Sequence, residues 1–62
     1  MNDGDAIRDA YFDTVQQLYK TLLQRMTEAA GDQAKESEAE AAFKKGVALA
    51  RHAQSRAISA LP

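Results

Sequence analysis

The sequence contains no cysteine and no tryptophan, and it has a single histidine, His52. Without cysteine there is no disulfide and no thiolate metal site, and a lone imidazole lacks a second nitrogen ligand. We therefore expect neither metal nor other cofactor. A single core in a fold below about 70–80 residues rarely supplies more than about 3–5 kcal/mol, so such folds usually need a disulfide, a metal or a partner chain. For this chain of 62 residues, the remaining sources of stability are close packing of helices and association with a partner chain.

Long apolar runs and strong charge are also lacking. No run approaches the roughly 20 apolar residues of a membrane span, and the start MNDGDAIRD lacks the basic flank and apolar stretch of a signal peptide. A net charge of −1 creates no overall attraction to nucleic acid or anionic membrane. We expect a cytoplasmic protein with no membrane partner, and we take the Met1 start to indicate a complete chain.

The first half of the sequence has the period of one amphipathic helix. Tyr11, Val15, Leu18 and Leu22 recur at steps of three or four, which predicts a helix over about residues 4–30. Gly31 follows where a C-capping glycine is typical. Three residues are candidate N-caps: Asn2, Asp3 and Asp5.

The second half predicts another helix, over about residues 38–61. Ser37 and Glu40 have the spacing of a capping box, which places the turn at about residues 31–37. Asp32 is a rival cap that would start this helix five residues earlier. A short turn makes the helices antiparallel neighbours, so the predicted fold is all-α: one helical-hairpin domain covering residues 1–62.

The inner face of the second helix is made mostly of small residues. With the turn centred near residue 34, Gly46 faces Leu22, and three alanines face Leu18, Val15 and Tyr11. Large residues then meet small ones, which allows the axes to approach closely. The predicted close-packing positions are Leu22, Gly46, Ala50, Ala53 and Ala57.

The apolar arc of each helix is wider than one neighbour can cover. A second layer is therefore expected, because stable domains need at least two. The commonest solution is a two-fold homodimer forming a four-helix bundle, although a different helical protein would also serve. The predicted oligomer interface consists of Phe12, Leu23, Met26, Phe43, Val47 and Ile58.

Residues that could support catalysis are few and scattered. His52 has Ala48 and Arg56 one turn away, so no carboxylate or nucleophile stands at helical spacing from it. Glu36, Glu38 and Glu40 fan around a helix instead of converging on a cation. We expect a protein that is not an enzyme.

The second helix also carries basic residues that could form a stripe for RNA or DNA: Lys44, Lys45, Arg51, His52 and Arg56. In length and architecture the chain is similar to the Rop family, short helical hairpins that dimerise and hold RNA hairpins. Nucleic-acid binding is thus one alternative to a homo-oligomeric regulator, adaptor or chaperone-like subunit acting through protein contacts. The second alternative is an obligate small subunit of a hetero-complex.

Overall fold

The chain forms two helices that pack against each other as a hairpin, as predicted. In the computed structural model, which describes all 62 residues, α1 spans Asp3–Ala29 and α2 spans Gln33–Ala60, and there is no strand. Helix α1 begins with a reciprocal capping box. The Asn2 side chain accepts a hydrogen bond from the Asp5 N–H at 2.9 Å, and the Asp5 carboxylate accepts one from the Asn2 N–H at 3.3 Å. Asn2 is therefore the N-cap among the three candidates.

The turn is tighter than predicted, because two consecutive residues have positive φ. Ala30 adopts the left-handed conformation at φ 51°, and Gly31 follows at φ 87°. The predicted helix over about residues 4–30 agrees with α1 to within one residue at each end, although Ala30 precedes Gly31 as the first left-handed residue. An alanine in this conformation costs roughly 1–2 kcal/mol, since its Cβ approaches the following carbonyl oxygen.

Asp32, and not Ser37, caps α2. Its carboxylate accepts hydrogen bonds from the N–H groups of Ala34 at 3.0 Å and Lys35 at 3.2 Å, so the helix begins at Gln33. The predicted start at residue 38 and the turn over 31–37 are therefore wrong. Asp32 satisfies two orphan donors directly, and the residues up to Ser37 then continue in helix.

The earlier start shifts the pairing of the helices by about one turn. A Cβ placed on Gly46 would lie 2.7 Å from a methyl carbon of Leu18, so Gly46 packs against Leu18 and not against Leu22 as predicted. Gly46 nevertheless marks a point of close approach, because no other residue type fits there without moving Leu18.

The hairpin is one helix thick and has almost no interior. Its Cα extents are 48 × 18 × 7 Å, and only Ala29 and Ala39 are buried. Between the helices runs a seam of half-buried side chains, and the apolar ones are Ile7, Tyr11, Val15, Leu18, Leu22 and Met26 on α1, with Phe43, Val47, Ala50, Ala57 and Leu61 on α2. Within the chain, the two helices thus contact each other along one line and do not enclose a core.

The assignment of the cap can be tested with two alanine variants. Asp32→Ala removes the acceptor of two backbone N–H groups and should lower the free energy of unfolding by about 1 kcal/mol. Ser37→Ala, in the first turns of the same helix, should change it by less than about 0.5 kcal/mol. Urea unfolding at matched protein concentration measures both, and a larger loss for Ser37→Ala would contradict the assignment.

A second test concerns the contact between Gly46 and Leu18. Gly46→Leu should cost at least about 1–3 kcal/mol through overpacking. Gly46→Ala should be close to neutral, because a helix-propensity gain of about 1 kcal/mol is offset by displacement of Leu18. In a Leu18→Ala background the same Gly46→Ala change should become stabilising. Additive effects in that double-mutant cycle would show that the two residues are not in contact.

Candidate interaction surface

One broad side of the hairpin carries open grooves between the helices, and we call it the groove face. Side chains of modest size line it along its length, among them Ala10, Thr14 and Thr21 on α1 with Ala42 and Ala53 on α2. Near the turn the groove becomes charged, lined by Arg25, Glu28, Lys35 and Glu38. These grooves are open to solvent, so none encloses a ligand-sized volume.

The opposite side carries large exposed apolar side chains beside the seam, together with Met26 and Val47, two half-buried members of the seam, and we call it the apolar face. At about 100° per residue, the flank of α1 away from the grooves presents Phe12, Tyr19, Leu23 and Met26. The corresponding flank of α2 presents Val47 and Ile58. Exposure is 59% for Phe12, 56% for Tyr19 and 54% for Leu23. Three large side chains thus stand more than half exposed along one helix.

Of the six residues predicted for an oligomer interface, Phe12, Leu23 and Ile58 are exposed on the apolar face, and Met26 and Val47 are half-buried where that face borders the seam. The sixth, Phe43, is half-buried in the seam. Tyr19 is a further exposed member of this face and is absent from the predicted interface. Its spacing of seven from both Phe12 and Met26 is the signal that could have placed it here.

The predicted close-packing positions mostly lie in the seam. Leu22, Gly46, Ala50 and Ala57 are half-buried, whereas Ala53 is exposed at the edge of a groove. Leu18 and Ala39, which were not on the predicted list, supply the closest contact to Gly46 and the most buried position of α2. Both follow from the one-turn shift in register.

The hairpin exposes more surface than a compact monomer of its mass. Its accessible surface is 4865 Å² for 6.8 kDa, whereas the scaling for folded monomers gives about 3950 Å². The excess, about 900 Å², is close to the roughly 800 Å² that one partner buries in a standard protein interface. The isolated hairpin therefore has about one interface of surplus area.

The titratable side chains form no metal site. No group of three or more His, Asp or Glu side chains is placed to hold a metal ion. His52 is exposed and belongs to no ion pair, and Glu38 and Glu40 are exposed, with Glu36 half-buried.

The basic side chains of α2 point in two directions. In projection at about 100° per residue, Lys44 and Arg51 lie within about 20° of each other, and so do Lys45 and Arg56. About 120° separates the two pairs, with His52 on the side of Lys45. All are exposed, and the only ion pair in the chain is between Arg8 and Asp5 at 3.4 Å. The predicted stripe is thus spread around the helix.

Neither helix has both the length and the apolar character that crossing a membrane requires. Comparisons with protein-family models, curated proteins and solved structures find no match for the chain.

The two directions in which the basic side chains of α2 point lead to a prediction about nucleic-acid binding. Because the two pairs diverge, we expect no tight binding of mixed RNA and DNA at low salt in a gel-shift assay. Binding that falls steeply with added salt, and is abolished by Lys45→Glu with Arg56→Glu, would reverse that conclusion. These two residues are chosen because they point away from the apolar face, so their loss leaves that surface intact.

Proposed function

We propose that the protein is a non-enzymatic helical interaction module that acts by protein–protein contact and self-associates into a dimeric four-helix bundle. The observation that carries the proposal is the near absence of an interior: two buried residues in 62, both alanine. Because burial of apolar area supplies most of the favourable free energy of folding, a chain that buries so little needs another surface to cover it.

The apolar face is the surface that supports this proposal. It combines exposed aromatic and aliphatic side chains, which are typical of interface centres, with a surplus area close to one standard interface. Covering it with a second hairpin would supply the missing layer. In this proposal the protein acts as a regulator, adaptor or chaperone-like subunit, and the open grooves and scattered titratable groups give no support for catalysis.

The proposal predicts that folding and association are one event. The melting temperature followed by circular dichroism should therefore rise with protein concentration over a hundredfold range. A helical chain whose melt is independent of concentration would show that the hairpin is self-sufficient.

Two exposed leucines provide a matched comparison. Leu23 is 54% exposed on the apolar face, and Leu49 is 66% exposed but projects away from that face. In an isolated hairpin, glutamate at either position would be tolerated about equally. If a partner covers the apolar face, Leu23→Glu or Val47→Glu should unfold the chain at micromolar concentration, while Leu49→Glu should leave the melt nearly unchanged. Equal effects of Leu23→Glu and Leu49→Glu would contradict the proposal, and circular dichroism with sedimentation measures both.

A hetero-complex is distinguishable in the same experiments. A chain that stays unfolded and monomeric at high concentration would point to a different partner protein. A folded dimer supports the self-association proposed here.

A further inference from the structure

We propose a specific geometry for the dimer: a two-fold axis runs across the helices on the apolar face, level with Tyr19 of α1 and Lys45 of α2. Each helix then packs antiparallel to its own equivalent, and the two turns lie at opposite ends of the bundle. This inference rests on the self-association proposed above and assigns its arrangement.

The apolar side chains of α1 are symmetric about Tyr19. Phe12 and Met26 each lie seven residues from it, and all three project from the same flank of the helix. When α1 packs antiparallel on a second α1 about this point, Phe12 meets Met26 of the other copy and Tyr19 meets its equivalent. Leu23 then lies level with Val15. Each large exposed side chain that α1 presents on the apolar face thereby gains an apolar or aromatic partner.

The same axis crosses α2 at a point about which two charged side chains of α2 are arranged symmetrically. Because Gly46 packs against Leu18, the next residue along α1, Tyr19, lies level with Lys45. Glu40 lies five residues before Lys45, and Arg51 lies six residues after it. Both are on the flank of α2 toward the apolar face. Across the axis, Glu40 of each copy therefore meets Arg51 of the other, so each dimer contains two such pairs.

Neither charge has a partner within its own chain. Glu40 and Arg51 are eleven residues apart on one helix, about 16 Å at 1.5 Å per residue, and the only ion pair of the hairpin is Arg8 with Asp5. The two centres of symmetry, one apolar on α1 and one charged on α2, are independent observations. They fall at the same level of the hairpin, which is what a single two-fold axis requires.

The alternative dimer places both turns at the same end and packs α1 over α2 of the other copy. Tyr19 would then cover Lys44, Leu23 would lie over Glu40, and Phe12 would lie over Arg51. This arrangement covers charged groups with apolar side chains and separates Glu40 from Arg51. The antiparallel arrangement is favoured because it pairs Glu40 with Arg51 and sets Phe12, Tyr19 and Leu23 against apolar or aromatic side chains.

Exchange of the two charges tests the arrangement. Glu40→Arg or Arg51→Glu alone replaces two attractive contacts per dimer with two repulsive ones, and each should raise the apparent dissociation constant at least about tenfold. The double variant restores opposite charges across the axis and should return it to within about threefold of wild type. Sedimentation equilibrium at low salt measures all of these constants.

Glu38 and Arg56 provide the control for this exchange, because they carry the same charges on the same helix but project away from the apolar face. Glu38→Arg, Arg56→Glu and their combination should each stay within about threefold of wild type. A dimer in which the Glu40 and Arg51 exchange gives no rescue would overturn the proposed geometry while leaving self-association intact. A wild-type chain that remains monomeric would overturn both.

Two single-cysteine variants test the geometry without relying on charge. The natural chain has no cysteine, so each introduced thiol is unique. Lys44 lies one residue from the proposed axis and projects toward the partner, whereas Lys45 projects away. A short thiol-specific crosslinker should join Lys44→Cys into covalent dimers and leave Lys45→Cys uncrosslinked. The reverse pattern, or crosslinking of neither variant in a sample that sediments as a dimer, would overturn the arrangement.

Discussion

The shortage of burial within a single layer of helices governs the rest of this structure. Two helices side by side share one line of contact, and here that line buries only Ala29 and Ala39. The surplus surface of about 900 Å² relative to a compact monomer is a consequence of that geometry, since two parallel cylinders cannot enclose a core. The apolar face is the part of the surface that this shortage of burial leaves exposed.

The small residues of α2 and the large residues of α1 are two parts of the same arrangement. Gly46 and the alanines of α2 let the axes approach closely, as the contact with Leu18 shows, but they contribute little area of their own. Phe12, Tyr19 and Leu23 consequently remain more than half exposed. Close packing inside the hairpin thus leaves apolar surface for a contact outside it, on the face opposite the grooves.

Sequence reasoning recovered the architecture, because both helices have long and regular apolar periods. It missed the details set by the turn. Asp32 and Ser37 each satisfy the pattern of an N-cap, and only the folded chain shows Asp32 accepting from Ala34 and Lys35. That five-residue difference moved the pairing of Gly46 from Leu22 to Leu18. The same shift places Tyr19 level with Lys45, and that level could not be derived from the sequence alone.

The mass of the folded chain in solution tests the central claim most directly. Sedimentation velocity at tens of micromolar, on a sample shown to be helical by circular dichroism, should give a single species of twice the 6.8 kDa mass of one chain. If folding and association are one event, as proposed, dilution should reduce the dimer and the helical signal together. A species of 6.8 kDa that keeps its full helical signal would contradict the account.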